Sequence, residues 1–353
     1  MVRAPYTRLV NDLGAVLAAA AACDAAGERW TLATVISVRG STYRRPGARL
    51  LIPEHGGPVG LISGGCLEDE VARLGREALQ RELPVLITID HSAEGDEVWG
   101  SGLGCRGILE LIAEPPELAR ETVAALRAAR DAGTATYLLT GMDGTRRRLE
   151  VHQAAALGPG AAAAVRAGRA TRIGAAVLDP IVPPPHLVIC GAGPDAPALV
   201  EVATSLGWRV TVADPRRRLL ATAAIDPAVR LDAEPAAVPD SLGAQPASAV
   251  VVMSHDYVRD AAFLGAFVGR GVAYLGVLGP RDRTERLIAE LEASGTPLSE
   301  IDRAALHAPA GLDLGADGPQ EVALAVAAEI LAALRDAAGS PLRDRPGPIH
   351  PPM

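Results

Sequence analysis

The sequence of 353 residues contains no lysine, so all 34 of its basic residues are arginine. A phosphate-binding loop built on lysine, a Schiff base and a lysine general base are thereby excluded. Aromatic residues are scarce, at 3%, although 49% of the chain is hydrophobic. The core must therefore come from Ala, Val, Leu and Ile, which suit helix-covered parallel sheets. The four cysteines, Cys23, Cys66, Cys105 and Cys190, form no CxxC pair, which argues against a zinc ribbon or local iron–sulfur cluster and fits a reducing compartment, the cytoplasm. No apolar run approaches the roughly 20 residues of a membrane span. The Ala-rich N-terminus lacks the order of a signal peptide and reads as an amphipathic helix. A net charge of −8 speaks against nucleic acid and anionic membrane as general partners.

The length suits two domains. Trp30–Val38 and Arg49–Ile52 read as strands around a cationic turn carrying Arg39, Arg44 and Arg45, potential phosphate donors. Val59–Ile62 is a third strand, and Leu67–Leu83 has the apolar spacing of a helix. Strands at 85–89 and 107–113, a helix at 117–132 and strands at 136–140 and 148–152 complete an N-terminal mixed α/β domain, residues 1–153. Residues 154–185, Ala/Gly-rich and ending in Pro180-Ile-Val-Pro-Pro-Pro185, read as a linker. From 186 to 337 strands and helices alternate, as βαβ crossovers require, so a Rossmann-like doubly wound parallel sheet is expected. Residues 338–353 read as a flexible tail.

The apolar run His186–Cys190 enters Gly191-Ala192-Gly193-Pro194-Asp195-Ala196, a GxGxxA fingerprint. Its first glycine permits a tight turn and its second a close phosphate, while the helix beyond offers unpaired N–H groups to an anion. Asp214 ends the next strand, where an acidic residue reads a ribose 2′-hydroxyl. A sheet of this type that has lost its ligand would look the same. His255 and Asp256 follow a third strand, where the loop faces the nucleotide site, and are candidates for cofactor binding, for an acid–base pair, or for simple loop hydrogen bonding.

Gly64-Gly65-Cys66 precedes a helix, where a thiol pKa falls and a soft metal can be met. Cys105 lies in a second glycine-rich stretch, Gly100–Gly107. Cys23 and Cys190 read as buried small hydrophobes.

Taken in order, Gly40–Arg49, Ser63–Glu68, Gly102–Gly107, the Gly191 fingerprint, Ser254–Asp256, Tyr274–Gly279 and Gly311–Gly315 resemble the XdhC/CoxI family, accessory proteins of xanthine dehydrogenase and carbon monoxide dehydrogenase. Two departures stand out: Tyr43 where the family often has Pro, and Arg106 where Gly is common. The resemblance implies a chaperone with no catalytic residue. Such a protein binds molybdenum cofactor, as molybdopterin or its dinucleotide, supports sulfuration by a cysteine desulfurase and delivers the cofactor to a molybdenum hydroxylase apo-enzyme. Cys66, with Gly64 and Gly65, would meet the molybdenum, with Cys105 as a second thiol. Gly191, Ala192, Gly193, Pro194 and Asp214 would hold the phosphate or nucleotide end. The competing readings are an NAD(P)-dependent oxidoreductase using Asp214 and His255, and an adaptor holding no ligand. An Ala-rich first helix and a long apolar C-terminal helix leave room for a homodimer.

Overall fold

The computed structural model describes residues 12–40, 44–90, 107–243 and 247–346. The chain divides into two compact units, Met1–Pro183 and Pro184–Met353.

In the first unit, α1 (Asp12–Ala26) leads to β1 (Trp30–Gly40), β2 (Arg49–Pro53) and β3 (Val59–Gly60), followed by α2 (Glu68–Gly75) and α3 (Glu77–Arg81). Strands β4 (Val85–Asp90) and β5 (Gly107–Glu114) close an antiparallel sheet of order β3-β2-β1-β5-β4. The run Trp30–Ile36 is continuously buried because both sheet faces are covered. Ala33, Val35, Leu50 and Ile52 pack toward α2 and α3. Trp30, Leu32 and Leu51 pack toward Val16, Leu17, Ala20 and Cys23 of α1, and toward α4 (Pro116–Ala132). A bulge between Val35 and Ser37 interrupts the alternation, so Val35 and Val38 share one core. The helix expected over 67–83 is broken into two at Arg76. Just before the break a Cβ on Gly75 would stand 2.5 Å from Ile52 Cδ1, so the missing side chain lets helix and sheet approach.

The expected linker is structured. After β6 (Thr136–Gly141) and β7 (Arg146–Leu149) come α5 (Val151–Ala155), α6 (Pro159–Ala167), β8 (Thr171–Ile173) and β9 (Ala176–Ile181). They form a second antiparallel sheet, β7-β6-β9-β8. Val151 and His152, expected in a strand, open α5 instead, because Glu150 and Gln153 form a reciprocal cap. Pro180 sits in β9 opposite Tyr137. Strand β8 reaches only Leu178, which leaves β9 an open edge where a missing N–H is tolerated. Arg49 of β2 ties this sheet to the first through two bonds to the Asp179 carboxylate, 2.8 and 3.1 Å, both partners being buried.

In the second unit the order is β10 (His186–Cys190), α7 (Ala196–Ser205), β11 (Arg209–Ala213), α8 (Arg217–Thr222), β12 (Val229–Leu231), α9 (Val238–Ser241), β13 (Ala249–Val252), α10 (Tyr257–Phe267), β14 (Tyr274–Val277), α11 (Arg281–Ala293), α12 (Glu300–Ala305), β15 (Leu306–His307) and α13 (Pro319–Leu334). Six parallel strands run β12-β11-β10-β13-β14-β15. This is the Rossmann order, whose switch point lies between β10 and β13. Leu187, Ile189 and Val251 face α7 and α13, whereas Val188, Val250 and Val252 face α10 and α11, as period-2 strands buried on both faces demand. Of the expected tail, residues 338–346 are described and include one short 3₁₀ turn, Leu342–Asp344. No helix among the described residues is long and apolar enough to cross a membrane.

Candidate functional site

Two places carry the candidate residues, one in each unit. In the first, the chain leaves β3 and turns through Ser63-Gly64-Gly65-Cys66 into α2. Gly64 and Gly65 have φ of +94° and +103°, values that a side chain resists. The Glu68 carboxylate reaches back and closes this turn. Its Oε1 accepts the Ile62 and Ser63 N–H groups at 3.0 and 2.9 Å, and its Oε2 accepts the Ser63 hydroxyl at 2.6 Å and the Leu67 N–H at 3.1 Å. Ser63 Oγ in turn accepts the N–H groups of Cys66 and Leu67 at 3.1 and 2.8 Å. Burial pushes the Glu68 carboxyl pKa up, but these hydrogen bonds outweigh it and hold it below its ordinary value. The N–H groups of Ile62, Ser63, Cys66 and Leu67 are thus consumed within the turn, while the Cys66 side chain is exposed. Motif reading alone does not single out Ser63 and Glu68. Their signal is a stretched cap, a hydroxyl before two glycines with a carboxylate just beyond.

Cys23 and Cys190 are buried, as expected. Burial pushes the Cys190 thiol well up. Cys105, Arg106 and Tyr43 lie outside the described residues. Arg44 lines a mainly apolar cavity of about 250 Å³ with Leu13, Val16, Leu126 and Val182, and none of residues 63–68 lines it. Burial and the nearby Arg169 charge hold the Arg45 pKa down, and its Nε is buried without a hydrogen-bond partner.

In the second unit the fingerprint lies at the carboxyl ends of the strands. Gly191 has φ +123°, and a Cβ there would stand 2.5 Å from Ser254 Cα. The first glycine therefore lets the turn press on the chain leaving β13. Gly193 lies beneath the His255 ring, whose Cδ2 would be 3.2 Å from a Cβ. His255 adopts a left-handed backbone, φ +58°, and its Nε2 meets Asp195 Oδ2 at 2.8 Å. The expected pair with Asp256 is not formed. Asp256 instead caps α10, accepting the Arg259 N–H at 3.0 Å and pairing with the Arg259 guanidinium. That N–H, then the Arg259 charge, hold the Asp256 carboxyl below its usual range.

Asp214 is fully buried. Its carboxylate accepts the Ala192 N–H at 2.8 Å, the Arg216 N–H at 2.9 Å and, bidentately, the Arg216 guanidinium at 2.9 and 2.7 Å. Burial raises the Asp214 pKa, but the Arg216 and Ala192 bonds dominate and lower it. A ribose hydroxyl could reach this carboxylate only by displacing Arg216. Pro194 and Ala192 complete the turn, Ala192 being buried.

Two polar groups, Asp260 buried and Glu329 partly buried, escape sequence reading. Asp260 accepts the Ser254 N–H and hydroxyl at 2.9 and 2.6 Å and pairs with Arg283 at 2.7 Å, fixing the loop that carries His255. Glu329 of α13 accepts the Tyr274 hydroxyl and the Gly311 N–H, both at 2.7 Å, and faces His307 Nδ1 at 3.2 Å. These contacts span up to 55 residues of chain, so no local spacing announces them.

Comparison with known proteins adds to this geometry. Residues 23–90 match the profile described as the XdhC and CoxI family, and residues 187–330 that of the XdhC Rossmann domain. The chain is 30% identical over 319 residues to a Bacillus subtilis strain 168 protein described as a probable xanthine dehydrogenase subunit, covering 86% of this chain and 93% of that protein. It is 26% identical over 325 residues to an uncharacterized protein, YqeB, of Escherichia coli K12, of which it spans 46%. A crystal structure from Bacillus halodurans, described as a xanthine dehydrogenase, superposes with a TM-score of 0.72 at 25% identity, covering 94% of this chain and 98% of that one. With two family profiles in order and a relative matched over nearly its whole length, the chain belongs to the XdhC and CoxI family.

Proposed function

We propose that the protein is an accessory factor of a xanthine dehydrogenase-type molybdenum hydroxylase, and that its cargo is molybdenum cofactor on its way to that enzyme. The observation that carries the reading is the Cys66 side chain, exposed on a loop whose backbone is tied down by Ser63 and Glu68. A thiol so presented suits a soft metal centre. Among the described residues no group of three or more His, Cys, Asp or Glu side chains could hold a metal ion. Contact with molybdenum is assigned to the Cys66 thiol, with Cys105, outside the described residues, as the second candidate. In the second unit, the Gly191–Pro194 turn is the candidate for meeting a phosphate group. Sulfuration by a cysteine desulfurase, hand-over to the apo-enzyme, a homodimeric state and a cytoplasmic location belong to the same proposal.

Hydride transfer is the weaker alternative. It relies on Asp214 for a ribose and on a His255–Asp256 pair, and here both carboxylates are engaged elsewhere.

Anaerobic equilibrium binding of molybdenum cofactor to the full chain, beside NADH and beside Cys66→Ala, tests the reading. Cofactor binding that Cys66→Ala weakens, without NADH binding, is the expected result. NADH binding without cofactor binding overturns it.

A further inference from the structure

The crevice at the carboxyl end of β10 is where a Rossmann sheet meets the phosphates and sugar of its ligand. Arg216 spans it. Its Nε and Nη2 hold Asp214 behind the glycine turn, and Nη2 also reaches the Ser254 carbonyl across the crevice at 3.3 Å. The backbone N–H of Arg216 is likewise spent on Asp214. Nη1 has no partner among the described residues, and the side chain is 32% exposed. The bonds to Asp214, and the charges of Asp214, Asp256 and Asp260, raise the Arg216 pKa, so the guanidinium is a fixed cation. The next arginine is committed elsewhere, since Arg217 pairs with Asp232 at 2.5 Å.

A ribose-binding site at the end of β11 needs a carboxylate to accept from the vicinal hydroxyls. Here the carboxylate is buried and saturated, and two guanidinium N–H donors stand in its place. A hydroxyl oxygen can accept from such donors, but they favour an anion, which meets the guanidinium as an ion pair and can accept from both N–H groups at once.

We infer that Arg216 is the anion-reading residue of this crevice, and that the unit takes a ligand bearing a phosphate monoester where an NAD-type ligand carries a free ribose diol. Asp214 positions that guanidinium and does not touch the ligand. The inference deepens the reading of the second unit as the holder of a phosphorylated cofactor, and rests on it.

The test is calorimetric binding of two probes to the full chain, ADP-ribose and its 2′-phosphate. Removing Arg216 alone would strand the buried Asp214 carboxylate, so Arg216→Gln is measured beside the double variant Asp214→Asn/Arg216→Gln, which leaves neither charge. The phosphorylated probe is expected to bind wild type at least about tenfold more tightly than ADP-ribose, and the ratio to fall near unity in both variants. Equal or tighter binding of ADP-ribose, no binding of either probe, or a ratio that survives in the double variant overturns the assignment. Molybdenum cofactor binding by the same wild-type sample is read separately. Cofactor bound without phosphate preference sinks the role of Arg216 alone, and phosphate preference without cofactor binding sinks the carrier reading alone.

Discussion

The two fingerprint glycines look equivalent in sequence and should respond very differently to a single methyl group. At Gly191 an alanine must hold φ +123°, with its Cβ 2.5 Å from Ser254 Cα, 2.7 Å from Ser254 N and 2.8 Å from Met253 C. All three are backbone atoms of the neighbouring chain segment, and Asp260 pins that segment through Ser254. Backbone strain of roughly 1–3 kcal/mol adds to overpacking of roughly 1–3 kcal/mol, so Gly191→Ala should cost about 2–6 kcal/mol. At Gly193 the methyl meets the half-exposed His255 ring, which can rotate away, so Gly193→Ala should stay under about 1.5 kcal/mol. Each unit has its own core, so a single unfolding midpoint would mix two transitions. Native-state hydrogen exchange, read at peptides from β10 and β11 with β1 and β2 as internal reference, separates them. Gly191→Ala should speed exchange there roughly thirtyfold at least, and beyond about a thousandfold at the upper end. Exchange within about threefold of wild type, less than about 1 kcal/mol, would show that the turn yields, and would refute the assignment of Gly191 to close backbone approach.

Three further outcomes are expected. Glu68→Gln should raise exchange across residues 62–67 about tenfold at pH 7, since charge-assisted bonds are lost. Because the Glu68 pKa is depressed in the folded loop, its contribution is full above the ordinary carboxylate value and is lost as pH falls through the depressed one, so variant and wild type should converge only as pH falls from the ordinary carboxylate range through that depressed value. Arg49→Ala leaves the buried Asp179 carboxylate unpaired and should cost roughly 3–5 kcal/mol by calorimetry of the first unit, whereas Arg49→Met/Asp179→Leu should cost much less. Brief alkylation of the native chain, followed by mass spectrometry, should label Cys66 and spare Cys23 and Cys190; equal labelling of Cys23 would contradict its burial.

The second unit is legible because its signals are local. An apolar strand, GxGxxA and a helix occur within some twenty residues, and alternation does the rest. Residues 154–185 mislead because Ala and Gly carry little periodicity and Pro180 argues against a strand. What admits that proline is the short reach of β8, a tertiary fact. The site is legible in place more than in partnership. His255 and Asp195 lie 60 residues apart, and nothing in the sequence predicts a left-handed histidine turned toward the glycines. The Asp214–Arg216 clasp joins residues two apart in the chain, and it forms only because the chain bends as it leaves β11.

The Arg49–Asp179 pair also has a consequence for the order in which the protein is made. Its partners are 130 residues apart, and β9, which carries Asp179, is the strand flanked by β6 and β8 in the second sheet of its unit. A nascent chain released at residue 153 would hold the Arg49 guanidinium without its Asp179 partner and a second sheet reduced to β6 and β7, lacking both β8 and β9. Domains generally fold as units from the N-terminus, while synthesis adds about 5–20 residues each second. The first unit can therefore close only once β9 has left the ribosome, seconds before the glycine turn follows it out.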